Sequence, residues 1–467
     1  SFVNDIKADL FDVNTVYVSL DNHKEGDFSP YLFKSMDKGQ TWFSISSNIP
    51  KRTLIWRMVQ DPVKKNLLFA ATEFGIYTSL NGGKSWQKLN GAPTISFRDL
   101  TIQKRENDLV AASFGRGFFI LDDYSALREF TEENLNQKGK LFAPRKAKWF
   151  VPRSKIGNTG ADYYFAQNPE YGAVFTYHLA DDYKTAEDIR RDKEIELNKR
   201  NANIPFPGWD ALDAERDEEA ASVVLTIQDD KGNIINKISK RARDGSHRIA
   251  WDFSHFNPYP VSSESPRYNR GGALAKPGTY QASLSLVQNG DVTQLDGPVS
   301  FDVKAIYDGV LKGISYEEYN SYLNEVSELY NGISAVEDVL SESIKMQKAM
   351  VNALKKAKIL PGSIEPKIAE LKADLIRIKK SISGSPSKSE VGEKNPSGLD
   401  NYLYNATPGL RNSYGPTPLH MKSLEIAKKL LSDLRKEVTS INNIQIPKIE
   451  KALKDAGAPY IMGQGID

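Results

Sequence analysis

The sequence predicts a multi-domain, mainly β chain: blades of a β-propeller, then a β-sandwich, then a C-terminal α-helical bundle. Three observations predict it. Two similar octads, at residues 35–42 and 79–86, stand 44 residues apart, the length of a four-stranded blade. Short alternating strands with Gly- and Asn-containing turns fill much of 163–305. Beyond residue 315 the apolar spacing switches to a helical period.

The first octad reads Ser35-Met36-Asp37-Lys38-Gly39-Gln40-Thr41-Trp42, the second Ser79-Leu80-Asn81-Gly82-Gly83-Lys84-Ser85-Trp86. Each follows a pair of strand candidates, Val16–Leu20 with Tyr31–Lys34 and Leu67–Ala71 with Gly75–Thr78. A third pair, Leu109–Ser113 and Gly117–Leu121, ends in Asp122-Asp123 without the Trp. The octad is a hairpin. Asp37 and Asn81 can accept backbone N–H bonds across the turn. Gly39 and Gly83 give the tight point its backbone freedom, and Trp42 and Trp86 pin the turn on neighbouring strands. About three blades fit into 1–128, whereas propellers close with four or more. This part is therefore expected to be incomplete alone, its other blades coming from upstream sequence or a second chain. The strand-like pattern directly after Ser1 points the same way.

Residues 129–162 read as a connector and 163–305 as the sandwich, interrupted by a charged insertion at 181–221 that is expected to be solvated. Ala173–Leu179, Val223–Ile227, Ile234-Ile235, His247–Phe253, Gln281–Val287 and Val299–Val303 are the strand candidates. Trp251 and Tyr280 read as core residues. A helical hairpin should occupy 306–382, opened by the capping box Ser315-Tyr316-Glu317-Glu318 and broken before Pro361-Gly362. Its second arm carries Ile364, Ile368, Leu371, Leu375, Ile378 and Ile382 at heptad spacing. Residues 383–416 read as a loop or linker with one short helix near 398–405. A helix at about 417–441 and a tail to 467 end the chain, with Pro447 expected to interrupt the helix.

Composition limits the function. At 467 residues the chain should hold two to four domains. A net charge of +2 argues against nucleic acid as the main partner. Without any cysteine, disulfides, thiolate metal sites and cysteine nucleophiles are excluded. No apolar run approaches the ~20 residues of a transmembrane helix. His23, His178, His247, His255 and His420 have no metal-binding spacing, so neither a metal nor a cofactor is expected.

The octads resemble the Asp-box, or BNR, repeat of sialidase-like, xyloglucanase-like and sortilin-like propellers. Gly115-Arg116-Gly117-Phe118-Phe119-Ile120-Leu121-Asp122-Asp123 looks like the last blade of large bacterial propeller proteins, common in Bacteroidota and labelled glycosyl hydrolase or sortilin-like. Asn168–Ala173 and Pro277-Gly278-Thr279-Tyr280 match the same order. The resemblance covers nearly the whole chain as a C-terminal part. It implies an Ig-like sandwich after the blades and an extracytoplasmic location, in the periplasm, at the outer-membrane surface or secreted. The hydrolase label follows the fold, which does not establish function.

Glycoside hydrolysis needs two carboxylates across the scissile bond. The candidates are Glu73 and Asp99, both near strand ends and both at positions that also brace neighbouring strands. A sialidase-type site would need an arginine cluster, for which Arg57, Arg98 and Arg116 fall in successive blade regions, Arg116 between two glycines. The leading expectation is an exported binding or scaffold protein engaging protein or glycan partners at the bacterial cell envelope. The alternatives are a xyloglucanase- or sialidase-like glycoside hydrolase with its site partly outside this chain, and sortilin-like capture of peptides.

Overall fold

In a computed structural model the chain is mainly β, with several helices. The structure describes residues 1–152, 160, 166–257, 261, 272–307, 309–310 and 312–462. The expected onset of strand at 163 and the last five residues of the tail lie outside them. The chain divides into two compact units. One contains 1–149, 158–252 and 277–304; the other contains 150–157, 253–276 and 305–467.

The first unit opens with three antiparallel meanders. The first sheet runs β1 (Phe2–Ala8), β2 (Val16–Asn22), β3 (Asp27–Ser35), β4 (Phe43–Ser44). The second runs β5 (Ile55–Gln60), β6 (Leu68–Thr72), β7 (Gly75–Ser79), β8 (Gln87–Lys88), and the third β9 (Phe97–Gln103), β10 (Asp108–Ser113), β11 (Phe118–Leu121). Two apolar clusters bind the stack. Tyr17, Leu32, Ile45, Met58 and Trp86 join the first sheet to the second; Phe69, Ile76, Phe97, Leu109 and Tyr124 join the second to the third.

Both octads close on the same three bonds. Ser35 Oγ donates to Asp37 Oδ1 (2.7 Å) and accepts from Gly39 N (2.8 Å), and Asp37 Oδ1 accepts from Thr41 N (2.8 Å). Ser79, Asn81, Gly83 and Ser85 repeat the pattern at 3.0, 2.8 and 2.9 Å. Bonds from the Thr41 hydroxyl and amide and from Ser35 lower the Asp37 pKa to about 2. The tryptophans diverge. Trp86 is 3% exposed; its indole donates to Ile45 O of the preceding sheet (2.6 Å), and its backbone is bridged by Asn48 at 2.8 Å on both sides. Trp42 is 43% exposed and bonds only locally, to Gly39 O (3.0 Å). Gly83, at φ +92°, abuts the Ile45 side chain, where a Cβ would stand 2.8 Å away.

Buried charge closes the sheets' far end. Asp61, fully buried, takes Arg128 Nη2 (2.8 Å), Arg128 Nε (3.0 Å), Tyr124 Oη (2.7 Å) and the Val63 amide (2.8 Å). Arg128 also reaches Asn107 Oδ1 at 2.9 Å. Asp9 plays a similar part between the first two sheets, accepting from Tyr17 Oη (2.8 Å) and Gln60 Nε2 (2.9 Å).

After a one-turn α1 (Glu132–Leu135), two more sheets pack face to face. β12 (Gly139–Phe142), β14 (Ala173–Leu179) and β17 (Gly245–Trp251) form one. β13 (Ala147–Trp149), β15 (Ser222–Asp229), β16 (Ile234–Arg241), β18 (Gly278–Gln288) and β19 (Asp291–Ala305) form the other, in the order β13-β19-β18-β15-β16. Between them Phe175 meets Phe301 and Trp251 meets Tyr280, each with centroids 5.0 Å apart. Residues 139–142 and 147–149, read as connector, are strands, and their Leu141, Phe142, Ala147 and Trp149 are all buried. Gly172, at φ +122°, must be glycine: a Cβ would lie 1.9 Å from Trp251 O. The charged insertion forms two helices, α2 (Ala186–Lys199) and α3 (Trp209–Asp217).

In the second unit α4 (Tyr316–Leu354), α5 (Glu365–Ser383), α6 (Pro386–Glu390), α7 (Leu399–Ala406), α8 (Pro418–Ser440) and α9 (Ile446–Asp455) follow. All but α6 contribute to one apolar core, including Val326, Leu371, Leu399, Leu431 and Leu453. The stretch 383–416 is thus more than a linker, since Leu399, Ala406 and Leu410 are core residues. Pro447 does not end the helix: a π-helical turn at 441–445 relays α8 into α9, whose first turn holds Pro447. Residues 253–276, expected in the sandwich, group with the helices. Leu274 N donates to Leu410 O (2.9 Å), and the buried Tyr319 hydroxyl lies 2.7 and 2.8 Å from Leu274 O and Leu410 O.

Candidate functional site

The first strand of each meander carries a register shift at the same place. Val3 and Asp5 pair with Leu20 and Ser19, so Asn4 is bulged out; Trp56 is bulged between Ile55 and Arg57, and Arg98 between Phe97 and Asp99. A bulge re-aims a side chain and recurs beside functional sites. Here it repeats in three successive sheets and sets Asn4, Trp56 and Arg98 in a row at one end of the stack. Asn4 Nδ2 donates to Ile55 O (3.3 Å), and Ser19 Oγ donates to Trp56 O (3.2 Å).

Trp56 is the centre of this row. Its indole Nε1 donates to Glu73 Oε2 (2.9 Å), which also takes the Ser96 hydroxyl (3.2 Å). The Arg98 guanidinium carbon stands 3.6 Å from the Trp56 ring centroid and 5.0 Å from that of Phe114. The His23 ring meets Trp56 edge-on at 5.9 Å and bonds Asp21 through Nδ1. Phe114 is pinned by its amide, which donates to Ser96 O (2.9 Å), while its ring is 72% exposed. Arg116 follows on the same turn, between Gly115 (φ +83°) and Gly117 (φ +71°), exposed to solvent. Phe74 and Phe118 are exposed as well. Neither Arg98 nor Arg116 has an acidic partner among the described residues.

The residues after the three bulges form a charge ladder. Arg57 Nη1 lies 2.8 Å from Asp5 Oδ1, and Arg57 Nε lies 2.9 Å from Asp99 Oδ1. Arg57 therefore does not join Arg98 and Arg116; it ties the first strands of three sheets together. Glu73 and Asp99 are held separately: Glu73 accepts from Trp56 and Ser96, whereas Asp99 accepts from the Leu100 amide and is ion-paired with Arg57. The octad residues Ser35, Asp37, Gly39, Trp42, Ser79, Asn81, Gly83 and Trp86 lie on the β3–β4 and β7–β8 turns, apart from this row.

Sequence reasoning missed Trp56, His23, Ser96 and Phe114. A signal existed: Asn4-Asp5, Trp56-Arg57 and Arg98-Asp99 occupy one register, each opening the first strand of a repeat. The bulge at the first member of each pair depends on cross-strand pairing, which one sequence does not display. Among the described residues no group of three or more His, Asp or Glu is arranged to hold a metal ion, and no helix is long and apolar enough to cross a membrane.

No family profile matches the chain, and no curated protein matches it. Solved structures give distant likenesses. A GH74 enzyme of Niastella koreensis is 14% identical with a TM-score of 0.22, covering 26% of this chain and 20% of its own. The GH74 xyloglucanase of Xanthomonas campestris is also 14% identical at 0.22, covering 28% and 22%. The extracellular domain of a hybrid two-component system of B. thetaiotaomicron is 13% identical at 0.20, covering 65% and 30%. The chain thus spans less than a third of the length of these three structures, and likenesses at such TM-scores carry no argument about its activity.

Proposed function

We propose that the chain is an exported binding and scaffold protein of the bacterial cell envelope, which engages a protein or glycan through the exposed Arg98–Phe114–Arg116 face, with the buried Trp56 as the platform behind Arg98. The observation that carries this reading is Arg98: a guanidinium stacked between two aromatic rings, unpaired with any described acid, at a bulge repeated in three sheets. Stacking pre-orients the planar fork and leaves its donors to a ligand. Exposed Phe74, Phe114 and Phe118 add the apolar contact that sugars and peptide side chains use. In this reading the three meanders are Asp-box blades of a β-propeller, with β1, β5 and β9 innermost. The face-to-face sheets are an Ig-like sandwich and the helices a bundle serving as spacer or attachment module. The remaining blades would come from upstream sequence or a second chain and cover the exposed Trp42.

A hydrolase is the weaker reading, because the carboxylates a glycosidase would need are already engaged, Glu73 with an indole and a serine, Asp99 with Arg57. A glycan array and a pull-down from the native envelope test the proposal, with the Arg98→Ala and Arg116→Ala variants alongside. Binding should fall at least about 10-fold in each variant, the scale of one lost charged hydrogen bond. Wild-type protein that captures neither a glycan nor a reproducible protein partner overturns the proposal.

A further inference from the structure

The charged insertion is built like a presented epitope. Neither α2 nor α3 buries a single residue. The pair is held by charge: Arg190 forks onto Glu215 (2.7 Å) and reaches Glu194 (2.7 Å), and the Ala186 amide donates to Glu218 (2.7 Å). Ile204, Phe206 and Trp209, where the two helices join, are nevertheless open to solvent, Phe206 at 62% and Trp209 at 74%. They are not loose. Pro205 and Pro207 fix two φ angles, Gly208 turns at φ +95° into α3, and the Phe206 and Trp209 rings lock edge to face at 5.0 Å. A rigid, exposed aromatic pair has little entropy left to lose on binding, and Trp is among the residues enriched at interface hot spots. Residues 209–219 add six carboxylates against one arginine.

The complementary surface is on the same chain. A groove of about 870 Å³ opens between α5, α8 and the loop before α7. Ala373, Ile376 and Leu430 give it an apolar floor, and Arg377, Lys380 and Lys388 a basic rim. Arg377 is paired with Glu437 and Asp374, whereas Lys380 and Lys388 have no acidic partner among the described residues. The volume lies in the range of pockets that enclose a ligand of several rings.

We propose that the Phe206–Trp209 tip of one copy docks in the Ile376–Lys380–Lys388 groove of a second copy. Tip and groove are different surfaces, so the contact is heterologous and copies join head to tail. It is a weak contact: two aromatic side chains bury ~150–250 Å² each, well below the ~800 Å² per partner of a standard interface.

Sedimentation velocity of the full chain, from about 1 to 300 µM, tests this, since weak contacts populate in that range. The weight-average mass should rise with concentration beyond that of a dimer and fall back as salt is raised. Trp209→Ala and the double variant Lys380→Glu, Lys388→Glu should each stay monomeric. Mixed together they should form dimers that grow no further, because one supplies only a groove and the other only a tip. The proposal is overturned if wild-type protein stays monomeric across the range, if Trp209→Ala associates like wild type, or if the two variants mixed remain monomers.

Discussion

The Asp61–Arg128 pair gives the sharpest energetic test of how the sheets are fastened. Asp61 is wholly buried and the Arg128 side chain is 16% exposed, and their fork spans 67 residues of chain between the second sheet and the segment beyond the third. Replacing Arg128 by alanine leaves a buried carboxylate facing only Tyr124 and two amides, and also strips Asn107 of its donor. Breaking one side of such a pair costs ~3–5 kcal/mol. With a urea dependence of about 2 kcal/mol/M, the unfolding midpoint of the sheets should drop by roughly 1.5–2.5 M. Hydrogen exchange read on β5–β6 and β9–β10 peptides across a urea series isolates this transition from that of the helical unit. Arg128→Ala combined with Asp61→Asn should cost less than the sum of the two changes, by about 0.5–3 kcal/mol, because no unpaired charge is then buried. A midpoint shift below about 0.3 M for Arg128→Ala, or strict additivity in the double variant, refutes the argument. The pH dependence carries the same sign. Burial pushes the Asp61 carboxyl up, but bonds from Arg128, the Lys64 amide and Tyr124 outweigh it and leave the pKa lowered. Its contribution is therefore complete above the unfolded carboxylate value of about 3.9 and is lost as pH falls through the depressed folded value. Asp61→Asn should flatten that acid limb.

The other expectations are local. Trp86→Ala should cost ~3–5 kcal/mol in urea unfolding, whereas Trp42→Ala, exposed and bonded only to its own turn, should cost under about 1 kcal/mol. In an NMR titration the Asp37 side chain should inflect near pH 2, well below an ordinary carboxylate. Tyr319→Phe removes the hydroxyl shared by the Leu274 and Leu410 carbonyls and should destabilise the helical unit by ~1–3 kcal/mol, read by thermal unfolding. Gly172→Ala should prevent soluble expression or lower the melting temperature sharply, because its Cβ would collide with the Trp251 carbonyl.

What the sequence displayed was whatever repeats or alternates locally. The two octads were legible because their polar atoms bond within the octad itself, Ser35 to Gly39 and Ser79 to Gly83. The helices were legible because α4 and α5 bury one stripe at regular spacing. The difference between Trp42 and Trp86 was not legible: it rests on whether a neighbouring sheet offers an Ile45 carbonyl and an Asn48 side chain. The strands at 139–149 were too short, and too close to a proline, to show a period. The transfer of 253–276 to the helical unit depends on Leu274 meeting Leu410, 136 positions away, a contact no local pattern encodes. The candidate site was half visible. Glu73, Arg98 and Arg116 stood out as charges near strand ends, but Arg57 looked like their companion until its pairing with Asp5 and Asp99 removed it.

The face built on Trp56, Arg98 and Phe114 is tested most directly by photo-crosslinking in the native envelope. A benzophenone side chain is placed at Phe114, and a control at Val63, which is exposed on the β5–β6 turn at the stack's other end. The binding account expects a discrete adduct from position 114, none from 63, and loss of the adduct when Arg98→Ala is added. An adduct from 63 alone, no adduct at all, or one from 114 that survives Arg98→Ala would contradict it.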